Sequence, residues 1–184
     1  MQIRYEYKES RRFVYLFTKI LCTTFLLGGH SERTMTILIT GGTGNTGGPL
    51  ARLLHAAKVP FLVASRNAAK SGQTNAVTLD WLNPDTFVNP FNADPNINRV
   101  YLVAPFVMNP FKPIFKPFID FAVKKGVKRF VLLTSVHRDA GSSGLGEIHQ
   151  YLIDIGVEYA VLRPSWFTGE PLAFPSMNIF WNNF

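Results

Sequence analysis

A glycine-rich turn between an apolar run and an amphipathic segment constrains this chain more than any other feature. Ile37, Leu38 and Ile39 predict a short strand, and residues 41–48 then read G-G-T-G-N-T-G-G. A helical pattern follows, with apolar residues at 50, 53, 54 and 57. Strand, glycine turn and helix in this order are typical of the first part of a dinucleotide-binding βαβ unit. The alternative is a glycine-rich turn in an α/β fold that binds no nucleotide.

The glycines fit the physical demands of such a turn. Gly41 and Gly42 permit a tight bend where a side chain would clash. Gly44 lets the backbone approach a pyrophosphate, and Gly47 lets the helix pack close to the strand. Backbone N–H groups at the start of the helix then face the phosphate charge. We therefore predict coenzyme binding at these positions.

The end of the second predicted strand, residues 61–65, indicates which coenzyme binds. An NAD site usually carries an acidic residue there, whereas this chain has Ser65 and Arg66 and no acid before Asp80. A hydroxyl and a guanidinium suit a 2′-phosphate, which favours NADPH, although Arg66 could also be a solvated surface residue. Asp80, at the end of a predicted strand over 76–80, could accept from the adenine amino group or serve as a turn residue.

Strands and helices are predicted to alternate along the rest of the chain. Further strands are expected at 99–104, 128–134 and 157–162, with one helix opening at Pro117 and another over 147–155. This alternation predicts an α/β, Rossmann-type doubly wound parallel sheet. Ligands bind at the carboxyl ends of the strands in such sheets. The residues expected at that edge include Ala104, Pro105, Ser135, Arg163 and Pro164.

Three residues are candidates for catalysis. Reductases of this architecture commonly pair a serine with Tyr-x-x-x-Lys, and Ser135 occupies the serine position. Tyr151 follows in a helix, but Ile155 stands where the lysine should be, so a packed or surface tyrosine is the favoured interpretation. His149 could donate a proton, orient a substrate or simply lie on the helix surface. Reduction of a cationic iminium needs no strong general acid, because its carbon is already electrophilic.

Composition limits the other classes of function. The chain has 184 residues, which fits one domain, and its net charge of +7 is spread along its length. No basic run with interleaved aromatics, zinc motif or helix-turn-helix pattern predicts a nucleic-acid partner. Cys22 is the only cysteine, so no intrachain disulfide can form, and no Cys/His cluster predicts a metal site. We therefore expect a cytoplasmic protein without a metal.

The first 34 residues stand apart from this pattern. Arg11 and Arg12 precede an apolar run over 13–27, which Lys19 interrupts. The run is short for a membrane span and loosely resembles a signal peptide. We expect residues 1–34 to be an extension outside the fold, with a membrane anchor or a targeting peptide as the alternatives.

Eight segments carry a resemblance to known proteins. Four resemble the NmrA-like, atypical short-chain dehydrogenases: TGGTGNTG at 40–47, ASR at 64–66, LDW at 79–81 and VYLVAP at 100–105. Four others are similar to the festuclavine/agroclavine dehydrogenases of fungal ergot alkaloid biosynthesis: KPFIDFA at 116–122, KKGVKRFVLLTS at 124–135, HQYL at 149–152 and GVEYAVLRPSWF at 156–167.

The resemblance implies an NADPH-dependent reductase that acts on a clavine iminium. By position, the pyrophosphate would be held by Gly41, Thr43, Gly44, Asn45, Thr46 and Gly47. Ser65 and Arg66 would hold the 2′-phosphate, and Ser135, Arg163 and Pro164 would border the nicotinamide. The resemblance thus assigns the coenzyme half of a site rather than the substrate half.

The end of the chain departs from that family. Its members continue well past the RPSWF position, whereas residues 169–184 do not resemble their continuation. We therefore expect a Rossmann domain over 35–168, an apolar tail over 169–184 and a substrate region that is largely missing. A catalytically silent NADP(H)-sensing regulator and a non-functional truncated product are the alternative interpretations.

Overall fold

Strands alternate with α-helices or 3₁₀ turns among the described residues between 36 and 164, as predicted. The computed structural model describes residues 2–6, 35–105, 112–164 and 176–182. The strands are β1 (Gln2–Glu6), β2 (Thr36–Thr40), β3 (Phe61–Ser65), β4 (Ala76–Thr78), β5 (Ile97–Leu102), β6 (Arg129–Leu133), β7 (Glu158–Pro164) and β8 (Ser176–Asn182). The helices are α1 (Gly47–Ala56), α2 (Asn89–Ala93), α3 (Lys112–Lys124) and α4 (Leu145–Asp154), and short 3₁₀ turns span Ala68–Lys70 and Pro84–Val88.

The eight described strands form one sheet in the order β1-β8-β7-β6-β5-β2-β3-β4. Strands β2 to β7 are mutually parallel, and their spatial order is that of the doubly wound dinucleotide-binding fold. The order reverses between β2 and β5, so the chain leaves these neighbouring strands in opposite directions. The predicted Rossmann-type sheet is confirmed, and this reversal places a crevice at its carboxyl edge.

Apolar side chains cover both faces of the parallel strands. In β2, Leu38 packs on one face, with Phe118 of α3 and Leu152 of α4 in the same cluster. Ile37 and Ile39 pack on the opposite face in a second cluster that includes Leu50 and Leu54 of α1. Because successive strand residues point to opposite faces, the continuous apolar run of β2 is what a strand covered on both sides requires.

The third helix begins earlier than predicted. Pro117 was expected to open it, yet α3 starts at Lys112 and contains Pro117 in its second turn. Pro117 lacks the N–H that would bond to the carbonyl of residue 113, so the helix gives up one internal hydrogen bond there. The burial of Phe115 and Phe118 against the sheet offsets that loss. Residues 106–111 lie outside the described residues.

Two antiparallel strands extend the parallel sheet at one edge. β8 pairs with β7, Leu162 lying opposite Ile179, and β1 pairs with β8, Gln2 lying opposite Phe180. The structure thus places residues 2–6, from the segment expected outside the fold, in the sheet. It does the same with part of the predicted tail. Residues 7–34, 165–175 and 183–184 lie outside the described residues, and the domain boundaries stay a prediction.

Candidate functional site

A cleft of about 700 Å³ opens at the carboxyl edge of the sheet, where β2 and β5 diverge. The glycine turn after β2 forms one wall, and Val103, Ala104 and Pro105 after β5 form another. The third wall comes from the ends of β3 and β4. Its lining residues are Ala64, Ser65, Arg66, Asn67, Lys70, Ser71, Leu79 and Trp81. Every strand end that the sequence assigned to the first half of the sheet therefore reaches this cleft or its immediate surroundings.

Gly42 and Gly47 of the glycine turn are packed too tightly to carry side chains. Gly41 has φ +63°, and its carbonyl accepts a hydrogen bond of 2.9 Å from the Gly44 N–H. A Cβ on Gly47 would lie 2.4 Å from the Gly41 oxygen, and one on Gly42 would lie 2.4 Å from Cγ1 of Val63. The start of α1 thus rests directly against the turn, which is the arrangement that lets a backbone cradle approach a phosphate.

A single hydroxyl holds the strand ends together where they diverge. The Thr40 Oγ1 atom donates to the Tyr101 carbonyl at 2.9 Å and accepts from the Val103 N–H at 2.8 Å. Thr40 is buried at the base of the cleft. It therefore fixes the spacing between the glycine turn and the opposite wall.

Two cations line the end of the cleft beside β3. Arg66, predicted from the sequence, is exposed, and Lys70 lies with it. The Asn67 side chain accepts from the Lys70 N–H at 3.2 Å and starts a 3₁₀ turn that brings Lys70 round to the cleft. Sequence reasoning missed Lys70, although an asparagine cap with a lysine three residues later was the available signal. Two cations and the Ser65 hydroxyl suit a phosphate group.

Asp80 belongs to a turn rather than to the cleft lining. Its Oδ1 accepts from the Leu82 N–H at 3.0 Å, and its own N–H donates to the Thr86 hydroxyl at 2.8 Å. Of the two interpretations left open for Asp80, the structure supports the turn residue. Short acidic side chains favour this local bond because it closes an Asx turn. Its neighbours Leu79 and Trp81 line the cleft instead.

Trp81 is a cleft residue that the sequence did not single out. Its indole lies 4.2 Å from the Phe115 ring and meets Phe118 edge-on at 5.2 Å between ring centroids. The side chain is only 7% exposed, so packing against α3 fixes its position. It thus forms an apolar boundary between the cleft and the core.

Arg163 holds a loop in place at the end of β7. Its guanidinium is buried and donates to the Ser135 carbonyl at 3.3 Å and to the Val136 carbonyl at 2.5 Å. It also pairs with Asp139 at 2.8 Å. Ser135 is partly buried at the end of β6, and the Pro164 carbonyl accepts from the Val136 N–H. The structure thus brings these three predicted nicotinamide neighbours together, while the Arg163 side chain is engaged by the loop.

His149 is neither in the cleft nor on the helix surface. It is 5% exposed within α4, and its ring meets Tyr159 of β7 edge-on at 5.6 Å. Burial lowers the pKa of His149, and the nearby Arg163 charge lowers it further. Of the three alternatives for His149, a position on the helix surface is therefore wrong, since the buried face of α4 includes residue 149. Its proposed catalytic role stays a prediction.

Tyr151 is packed between two helices, as the favoured interpretation held. Its hydroxyl donates to Asp120 of α3, and Lys116 pairs with the same carboxylate at 2.6 Å while lying over the tyrosine ring. Burial raises the pKa of Tyr151, and the bond to Asp120 does so further. The phenol is therefore protonated at neutral pH and links α3 to α4.

The other predicted coenzyme residues surround the glycine turn. Thr43 lines the cleft and Asn45 is exposed. Thr46 directly precedes α1, and the Thr46 carbonyl accepts from the Leu50 N–H at 3.2 Å.

Within the described ranges, no group of three or more His, Cys, Asp or Glu side chains is placed to hold a metal. Nor is any helix in those ranges long and apolar enough to cross a membrane.

Comparison with curated proteins confirms the resemblance predicted from the sequence. The chain is 45% identical to the agroclavine dehydrogenase of Claviceps fusiformis over 137 residues, which covers 72% of this chain and 47% of that enzyme. It is 41% identical to festuclavine synthase I of Penicillium roqueforti over 147 residues, covering 77% of this chain and 51% of the relative. The chain thus spans about half the length of the curated relatives it matches.

Solved structures share the fold. An NADPH-dependent quinone oxidoreductase from Escherichia coli, solved with NADPH, superposes with a TM-score of 0.58 at 24% identity, covering 71% of this chain and 49% of that one. A Citrobacter triphenylmethane reductase with NADP(H) gives a TM-score of 0.57 at 22% identity, with 72% and 50% covered. No protein-family model matches the chain.

Proposed function

We propose that this chain forms the coenzyme-binding part of an NADPH-dependent reductase that reduces an iminium in ergot (clavine) alkaloid biosynthesis. The observation that carries the proposal is the cleft at the β2–β5 divergence, with the tightly packed glycine turn at one wall and Arg66 and Lys70 at its end. The similarity to agroclavine dehydrogenase and to festuclavine synthase supports the choice of substrate class.

The residues of the cleft suit the two ends of a dinucleotide phosphate. The turn over residues 41–47 presents backbone N–H groups and the start of α1 to the pyrophosphate. Ser65, Arg66 and Lys70 provide a hydroxyl and two cations for the 2′-phosphate. NAD lacks that phosphate, so these side chains favour NADPH.

The walls of the cleft orient the coenzyme. Ala104 and Pro105 offer small, apolar contacts after β5, and Thr40 fixes their distance from the glycine turn. Ser135 lies at the next strand end, within the loop that Arg163 holds. In the proposed complex these residues would border the reactive end of the coenzyme, Ala104 and Pro105 from the cleft wall and Ser135 from the neighbouring loop.

When bound, NADPH supplies a hydride to an electrophilic carbon. Addition of that hydride to a C=N⁺ group gives a neutral amine, so no proton has to reach the substrate in the same step. The chain's own residues then have three tasks: to bind the coenzyme, to orient it and to keep the cationic carbon in contact with it. The predicted catalytic roles of Ser135, His149 and Tyr151 are not required by this chemistry.

Calorimetric titration of the full chain tests the coenzyme half of the proposal. We expect NADPH to bind more tightly than NADH and Arg66→Ala to remove most of that preference. Equal affinity for the two coenzymes, or no binding by a folded sample, contradicts the proposal.

Enzymatic turnover tests the reductase activity in the proposal. The loss of reduced-nicotinamide absorbance is followed with a clavine iminium, and the product is identified by mass spectrometry. Coenzyme binding without turnover of that iminium would refute the reductase activity of this chain and favour a coenzyme-sensing role. Turnover that also occurs without the protein would count against it equally.

A further inference from the structure

A second cavity of about 510 Å³ lies on the other side of the glycine turn. Part of helix α1 forms one side, and the segment 71–75 between β3 and β4 forms the other. Arg52 and His55 are the ionisable side chains among its lining residues. Neither residue was a candidate in the sequence analysis, and the function proposed above does not use them.

The two cavities meet at a common border. Thr43 of the glycine turn and Ser71 after the 3₁₀ turn line both of them. A group held at that border is therefore accessible from Arg66 and Lys70 on one side and from Arg52 on the other. Arg66 and Lys70 line the first cavity and Arg52 lines the second, so cations are present on both sides of this border.

The Arg52 side chain folds back toward the start of its helix. Its Nη1 atom lies 3.9 Å from the position that a Cβ on Gly48 would occupy. This is an ordinary van der Waals distance, so the guanidinium lies against the first turn of α1, next to the glycine turn. Its charge adds to the positive end of the α1 dipole, so this side of the turn attracts anions.

We propose that the 2′-phosphate of the coenzyme binds at the Thr43–Ser71 border and that Arg52 is a specificity-determining residue that contacts it from the second cavity. The inference rests on the proposed NADPH function and extends it. A phosphate monoester presents three strong acceptor oxygens and close to two negative charges, so it can accept from more cations than one cavity wall supplies. A planar guanidinium suits two of those oxygens at once.

Two small nucleotides isolate this contact from the rest of the coenzyme. 2′,5′-ADP carries the 2′-phosphate, whereas 5′-AMP has the same base and ribose without it. In calorimetric titrations of the full chain, Arg52→Gln should weaken 2′,5′-ADP binding by about tenfold, the effect of losing a hydrogen bond to a charged group near the surface. The affinity for 5′-AMP should change less than twofold. Arg52→Lys should fall between Arg52→Gln and the wild type.

Lys124→Gln is the matched control, because Lys124 is exposed on α3 and lines neither cavity. Arg52 is also exposed, so far-UV circular dichroism should show that its variants are folded. An equal loss for both nucleotides, or the same loss in Lys124→Gln, overturns the role of Arg52. So does an unchanged 2′,5′-ADP affinity when Arg66→Gln lowers it, and that result leaves the NADPH proposal standing. A wild-type chain that does not distinguish the two nucleotides overturns both proposals.

Discussion

Two adjacent glycines at the start of α1 should respond to alanine with opposite signs. A Cβ on Gly47 would lie 2.4 Å from the Gly41 oxygen and 2.7 Å from the Gly42 Cα. A Cβ on Gly48 would have its nearest contact at 3.5 Å, from the Gly42 oxygen, which is an ordinary van der Waals distance. The two substitutions add the same methyl group to the same helical turn, so the difference between them isolates the packing of the glycine turn.

The magnitude follows from these distances. Real Cβ atoms essentially never approach closer than 3.0 Å, so Gly47→Ala has to separate α1 from the turn by about 0.6 Å, the difference from 2.4 Å. Overpacking of this kind costs about 1–3 kcal/mol, and the gain of up to about 1 kcal/mol from replacing a helical glycine offsets part of it. We expect a net destabilisation of about 1–2 kcal/mol for Gly47→Ala. For Gly48→Ala we expect a stabilisation of up to about 1 kcal/mol.

Urea unfolding followed by far-UV circular dichroism measures both free energies, and equal m-values would confirm that the transitions are comparable. NADPH titration should show weaker binding for Gly47→Ala, since the cradle must move, and little change for Gly48→Ala. If Gly47→Ala is as stable as the wild type, or if both variants shift in the same direction, the packing argument is refuted.

Three further changes test the contacts outside the cleft. Tyr151→Phe removes the hydroxyl bonded to Asp120 and should lower the free energy of unfolding in urea by about 1 kcal/mol. Because burial lowers the pKa of His149, the unfolded chain takes up a proton that the folded chain resists. Stability should therefore fall as pH drops below about 6.5, and His149→Gln should lose less stability between pH 7 and pH 5. Arg163→Lys cannot keep all the guanidinium contacts to the loop, so amide hydrogen exchange at residues 135–139 should accelerate.

Each of these three predictions has an outcome that would contradict it. An unchanged midpoint for Tyr151→Phe would mean that the helix contact contributes no stability. Parallel pH profiles for the wild type and His149→Gln would show that the imidazole titrates alike in both states. Unchanged exchange in the Arg163 variant would show that the loop is held by its other contacts.

The sequence predicted those features that depend on local pattern. The glycine turn, the parallel strands and their alternation with helices follow from short-range spacing, and the cleft follows from the carboxyl ends that such strands share. Ser65 and Arg66 reach the cleft because they directly follow β3. Positions tied to a strand end were thus predictable without knowledge of the tertiary packing.

Features that depend on how side chains compete for partners were not predictable. Asp80 follows β4 closely, yet its carboxylate accepts from the Leu82 N–H within a turn. Arg163 lies near the end of a strand at the expected edge, but its guanidinium donates to a neighbouring carbonyl and pairs with Asp139. Lys70 reaches the cleft through a cap-and-turn geometry, and the Arg52 guanidinium folds back against the first turn of its own helix. In each case a local contact decides where the charged group lies.

The Thr40 hydroxyl has a consequence for how the cleft can move. It bonds to the Tyr101 carbonyl in β5 and to the Val103 N–H just after that strand. These two bonds hold the diverging segments together at one point. Sliding one strand along the other would break both bonds, so a change in the width of the cleft has to come from the glycine turn or from residues 104–105. The cleft can widen at its mouth while its base keeps a constant width.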